Sequence, residues 1–206
     1  MSDLIDRFHT FRQSNTWIFS TMLLSACLSL LASFVLSVDA IDLAKDPSAQ
    51  LACNINAAIS CGTVGVSWQA HLFGFPNAFL GIVAEPVVIT IAVAALGGVR
   101  FPRWFMLSAQ VVYFIGFAFA YWLFYQSFFV IGALCPWCLT ITVTTTLVFV
   151  SMTRVNLLDN NFRLSAGAYR TVASWLRAGA DTLGAILLFA ILIAMILFKY
   201  GTALFG

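Results

Sequence analysis

The sequence predicts an all-α membrane protein with five transmembrane helices. Of its 206 residues, 62% are hydrophobic and only 9% are charged. The mean hydropathy is +0.98, far from the half-apolar, quarter-charged mixture of soluble domains. The apolar residues gather into five long runs. Each suffices for a span, because a helix rising about 1.5 Å per residue crosses a hydrocarbon core of roughly 30 Å in about 20 residues while satisfying its own backbone.

The first run, Trp17 to Val38, follows residues 1–16 and exceeds the apolar core of about 7 to 15 residues in a cleaved signal, so it is expected to stay as an anchor. The second extends from Asn77 to Gly98 and contains Glu85 and Pro86. The third runs from Trp104 to Phe128, the fourth from Leu134 to Met152, and the fifth from Thr182 to Phe198. Two connecting segments are long: a loop over 39–76 and a basic linker over 153–181.

Charge predicts orientation, since cytoplasmic loops carry the Lys and Arg excess. Arg7 and Arg12 precede the first run, Arg100 and Arg103 join the second to the third, and Arg154, Arg163, Arg170 and Arg177 follow the fourth. Lys45, Lys199, Asp39, Asp42 and Asp46 fall on the other side. The N-terminus is therefore expected inside, with the 39–76 loop and the tail after the fifth helix outside. In the linker, arginines interleave with Leu164, Tyr169, Val172 and Leu176, which fits either an amphipathic surface helix or a solvated connector. The net charge of +2 says little by itself, and no nucleic-acid partner is expected.

Of the five cysteines, four carry the candidate chemistry. Cys27, alone in the first run, reads as a small hydrophobe. Cys53 and Cys61 lie in the loop, where a short helix is expected to end at Gly62. Cys135 and Cys138 form Cys135-Pro136-Trp137-Cys138 at the start of the fourth helix, with Pro in the first turn, where its missing N–H costs nothing. A helix N-terminus favours a thiolate, and residues at i and i+3 share a face, so this pair can alternate between dithiol and disulfide.

Three readings of the four cysteines stand side by side: a four-thiolate metal cage, two static disulfides, or a redox relay. Position at the membrane edge favours the relay, because a pair there reaches both a water-borne dithiol and a lipid-soluble electron carrier. The sequence has no Rossmann glycine pattern, no CxxCH haem signature and no paired helix histidines, which leaves a diffusible quinone as acceptor.

The ordered set of CNINAAISC in the loop, Ser67-Trp68, FPNAFLG containing Asn77, and CPWC resembles the vitamin K epoxide reductase family over roughly Trp17 to Met152. The resemblance implies a four-helix catalytic core over 17–152 around a quinone, with the extracytoplasmic loop as a lid and the fifth helix, 182–206 with its short tail, added to it. Residue by residue it implies that Cys53 takes the mixed disulfide with a partner, Cys61 exchanges with Cys135, and Cys138 faces the quinone ring. Asn77 matches a donor to a quinone carbonyl, with a helix cap as its other reading. Ser67 resembles a residue that holds the lid, or is an ordinary turn hydroxyl. Trp68 is an interface anchor or a pocket wall. Thr142 stands where animal members often place a quinone-contacting Tyr, and is the fourth candidate cofactor residue.

The implied acceptor is menaquinone or ubiquinone. The implied partner is a separate DsbA-like thioredoxin-fold protein, since the chain ends at Gly206 where many bacterial members continue into a thioredoxin-like domain. The implied location is a bacterial cytoplasmic membrane. Glu85, about 12 Å below Asn77 on an ideal helix, is an intramembrane carboxyl that is either packed neutral or relays protons to quinol. Two other functions remain open: a CcdA-like thiol electron carrier, and a non-enzymatic membrane protein stapled by two disulfides.

Overall fold

A computed structural model describes residues 14–205, with side chains to residue 201. Arg7, Arg12 and most of the predicted N-terminal segment 1–16 lie outside the described residues. Within them the protein is all α, with helices α1 (Asn15–Lys45), α2 (Cys61–Gly65), α3 (Ala78–Leu96), α4 (Arg103–Tyr125), α5 (Pro136–Leu158), α6 (Ala166–Ala178) and α7 (Ala180–Phe205). Helices α1, α3, α4 with its extension, α5 and α7 are long and apolar enough to cross a membrane, and they correspond to the five predicted spans.

Two predicted boundaries need correction. Helix α1 continues past Val38 to Lys45, so the loop opens at Asp46 rather than Asp39. Its last turns remain amphipathic, with Leu43 buried, and Leu43 is what α2 packs on: a Cβ at Gly65 would lie 2.7 Å from Leu43 Cδ1. The short loop helix begins at Cys61 instead of ending at Gly62, because the Ser60 hydroxyl caps it by accepting from Thr63 N. The linker forms the amphipathic helix α6, which buries Leu176.

Helix α1 lies against both α3 and α5, and α4 packs on α5. At the end carrying the arginine loops the bundle is solid. Met22 and Ala26 of α1, Ile91 of α3, Met106 of α4, and Val148 and Met152 of α5 fill it. Buried Asn156 adds hydrogen bonds to Met106 O and Gln110 Oε1. At the opposite end the four helices enclose a cavity of about 240 Å³. Helices α1 and α3 still approach closely there: a Cβ at Gly81 would sit 2.0 Å from Ser33 Oγ.

Helix α4 ends in a π-helical turn, Gln126–Ile131, which Gly132 terminates at φ 79°. That left-handed residue redirects the chain into Ala133 and Leu134 and so sets up the start of α5. Outside the four-helix core, α7 buries Leu192 and Tyr200 against Phe124, Phe128, Leu134 and Ala58.

Candidate functional site

The loop is folded by its own polar side chains. Asn56 Oδ1 accepts from Ala58 N at 2.9 Å and Ile59 N at 2.8 Å, closing a tight turn. Asn54 Oδ1 accepts from Gly62 N at 2.9 Å and from the Ser60 hydroxyl at 3.0 Å. Cys53 and Cys61, at the two ends of this turn, are joined as a disulfide.

The turn is docked in a fixed register. Ile59 and Leu134 form a parallel bridge in which Ser60 N donates to Leu134 O at 3.0 Å and Leu134 N donates to Ala58 O at 2.8 Å. Cys61 follows Ile59 by two residues and Cys135 follows Leu134 by one, so the bridge brings the two sulfurs to 3.3 Å. Both residues are at most 2% exposed.

Cys135 is the N-cap of α5, and its sulfur accepts from Cys138 N at 3.4 Å. The Cys138 side chain and the N–H groups of Cys138 and Trp137 hold its pKa below the ordinary thiol value, against the opposing effect of burial. Cys138, half-buried, is a free thiol on the cavity wall. Three sulfurs thus lie in one buried cluster with the fourth beside it, and α5 presents its dithiol to a disulfide on one side and to the cavity on the other.

The remaining predicted site residues divide. Asn77 lines the cavity without capping α3. Its amide donates to Gln69 O at 2.6 Å, while its buried Oδ1 has no protein partner. Thr142 also lines the cavity, but its hydroxyl donates to Cys138 O at 2.9 Å. Ser67 borders the cavity and donates to Val64 O at 2.6 Å, as a turn hydroxyl does. The structure does not bring Trp68 into the cavity wall: it is 63% exposed and rests edge-on against Trp122, with ring centroids 6.2 Å apart. Cys27 is exposed on α1.

The structure adds residues that the motifs did not mark. Asp39 comes within 3.9 Å of Cys53 Sγ and also lines the cavity. Ser29 and Tyr113 converge on Glu85 from α1 and α4. The serines at 25, 29, 33 and 37, all buried, form an i, i+4 stripe that was visible in the sequence.

A family profile described as the vitamin K epoxide reductase family matches residues 20–153. The chain belongs to the vitamin K epoxide reductase family. The matched stretch runs from α1 into the last turns of α5 and contains both cysteine pairs, Asn77 and Glu85. No curated protein matches the chain closely enough to supply a named relative. Membership in the vitamin K epoxide reductase family makes the protein a membrane oxidoreductase of thiols and disulfides.

Proposed function

We propose that this protein oxidises the dithiol of a separate thioredoxin-fold, DsbA-like partner and passes the electron pair to menaquinone or ubiquinone, driving disulfide formation in exported proteins. The observation that carries this reading is the 3.3 Å approach of Cys61 Sγ to Cys135 Sγ, in a dithiol pair whose other member faces the cavity.

In the first exchange a partner thiolate attacks Cys53, breaking the Cys53–Cys61 bond, and the partner's second thiol then breaks the mixed disulfide. The oxidised partner leaves, and Cys53 and Cys61 hold the two electrons as thiols. In the second exchange Cys61 attacks Cys135 of an oxidised CxxC, and Cys53 then breaks that Cys61–Cys135 bond. This restores the Cys53–Cys61 disulfide and leaves Cys135 and Cys138 as the dithiol, which is the arrangement observed. When bound, the quinone supplies the electron sink. The cavity suits a planar apolar ring, since its walls are mainly hydrophobic, and the unpartnered Asn77 Oδ1 on its lining is an acceptor able to take the O–H of the quinol that the reaction forms.

Orientation in a bacterial cytoplasmic membrane with the cysteines outside is supported by the arginines, which gather at the opposite end of the bundle. A thiol carrier of the CcdA kind needs cysteines reachable from both faces, and the four paired cysteines lie together at one end.

The test is quinone reduction by purified protein given a reduced thioredoxin-fold partner, with Cys53, Cys61, Cys135 and Cys138 each changed to Ala. All four changes are expected to abolish turnover, and a reduced partner lacking its second cysteine is expected to accumulate as an adduct on Cys53 of the unsubstituted chain, because nothing is then left to break the mixed disulfide. Undiminished turnover after Cys135→Ala or Cys138→Ala would reduce the pairs to structural crosslinks.

A further inference from the structure

Deep in the cavity, below the cysteines, three helices meet at one carboxyl group. Glu85 on α3 is 4% exposed. Its Oε1 accepts from Ser29 Oγ of α1 at 2.8 Å and from the Tyr113 hydroxyl of α4 at 3.2 Å, and Oε2 lies 3.4 Å from the same phenol. Ser29, Glu85 and Tyr113 all line the cavity, as does Ser33, whose buried hydroxyl has no partner.

Among the described residues, no lysine or arginine lines this cavity. The histidine that does, His71, sits in the lid with Nδ1 3.3 Å from Ser67 O, and the other carboxylate, Asp39, lies at the cysteine end. A carboxylate buried without a cation is unfavourable in hydrocarbon, so Glu85 is held as the neutral acid. Ser29 and Tyr113 make their closer contacts to Oε1, at 2.8 and 3.2 Å against 3.4 Å from Tyr113 to Oε2, which leaves the acid hydrogen on Oε2 of a carboxyl that lines the cavity.

The cavity thus has two polar ends on one helix. Glu85 follows Asn77 by eight residues, about 12 Å along α3, and helical side chains lean toward the N-terminus, so Glu85 leans toward Asn77. A quinone ring likewise carries two oxygens on opposite edges of an apolar body. Thr142 cannot serve the deeper oxygen as a donor, because its hydroxyl hydrogen is committed to Cys138 O.

We propose that Glu85 is the proton donor to the deeper quinone oxygen, with Ser29 and Tyr113 as positioning residues; this rests on the proposed quinone chemistry. The electron pair leaves the Cys135/Cys138 dithiol as its S–S bond forms. The Glu85 O–H bond breaks as an O–H bond forms on the deeper oxygen, and a thiol proton goes to the oxygen nearer Asn77. The Glu85 carboxylate then regains a proton equal to the other one released by the dithiol. The sum is dithiol plus quinone giving disulfide plus quinol.

The test compares wild-type protein with Glu85→Gln and Tyr113→Phe, using dithiothreitol as donor and either menadione or a short-chain ubiquinone as acceptor. Glu85→Gln keeps the shape and polarity and is expected to lower kcat by about 10²-fold, as loss of a general acid does, with quinone affinity by tryptophan quenching unchanged. Tyr113→Phe is expected to lower kcat less. Infrared difference spectra of the wild type should show a protonated-carboxyl band that shifts on quinone addition and is missing in Glu85→Gln. Wild-type kcat in Glu85→Gln, a parallel loss of kcat and affinity, or a wild-type carboxyl band indifferent to quinone would each overturn the assignment. Wild-type protein that forms no quinol would overturn the quinone reading itself, an outcome distinct from normal wild-type turnover with an unaffected Glu85→Gln.

Discussion

Two structures at once favour the Cys135 thiolate. The start of α5 supplies the N–H groups of Trp137 and Cys138, and the Cys138 side chain supplies the largest stabilisation of its thiolate. Because the pKa is lowered, the thiolate persists to a lower pH than in an ordinary cysteine, which makes Cys135 a better leaving group when Cys53 breaks the Cys61–Cys135 bond. Removing Cys138 removes the main donor. The pH midpoint for Cys135 alkylation in the reduced protein is therefore expected to rise in Cys138→Ala toward that of an ordinary thiol, and equal midpoints would rule out the Cys138 side chain as the main cause. The spacing of Cys135 and Cys138 was legible in the sequence, where it marks the pair as a candidate for thiol exchange. The environment of Glu85 was not, because its partners lie 56 and 28 residues away and meet it only through the packing of α1 and α4 on α3.

At the scale of elements, hydropathy located all five long helices but misplaced their ends, because polar residues such as Asp39 and Asp42 continue a helix beyond its apolar run whenever one face still packs. The loop was legible as a cysteine-bearing segment, while its Ile59–Leu134 bridge, which sets the distance between the two pairs, has no local signature. Close helix contact is another such feature. Gly81 is tolerated on α3 because the Ser33 side chain of α1 occupies the place of its Cβ, 2.0 Å from Ser33 Oγ. Gly81→Ala is expected to push α1 from α3 at a cost of about 1–3 kcal/mol, read as a lower unfolding temperature in detergent. Ser33→Gly, which clears the space, should recover most of that loss in the double variant. A single Gly81→Ala variant as stable as wild type would show that the two helices part without penalty.

Across the whole molecule, the four-helix core is solid at one end and hollow at the other, so the hollow end needs support from outside its own packing. Helix α7 supplies it from beyond the family-matched stretch. Near its end Lys199 and Tyr200 both donate to Phe128 O, at the π-helical turn that leads to Cys135. At its start Asp181 pairs with Arg154 of α5, with side chains 13% and 7% exposed. The pair is a single contact, Arg154 Nη1 to Asp181 Oδ2, with Arg154 Nε and Asp181 Oδ1 left unpartnered. Such a pair adds little over an apolar replacement, yet breaking one side strands the other charge at a cost of about 3–5 kcal/mol. Asp181→Asn is therefore expected to lower the unfolding temperature markedly and loosen α7, while Arg154→Met combined with Asp181→Leu should regain most of the loss. Because Leu192 packs in one cluster with Leu134 and Ala58, which belong to the bridged segments that set the Cys61–Cys135 approach, the single variant should also exchange electrons between the pairs more slowly. If thermal unfolding and exchange rate were both unchanged in Asp181→Asn, α7 would be a passenger on the bundle and the support for the cysteine end would have to come from the core alone.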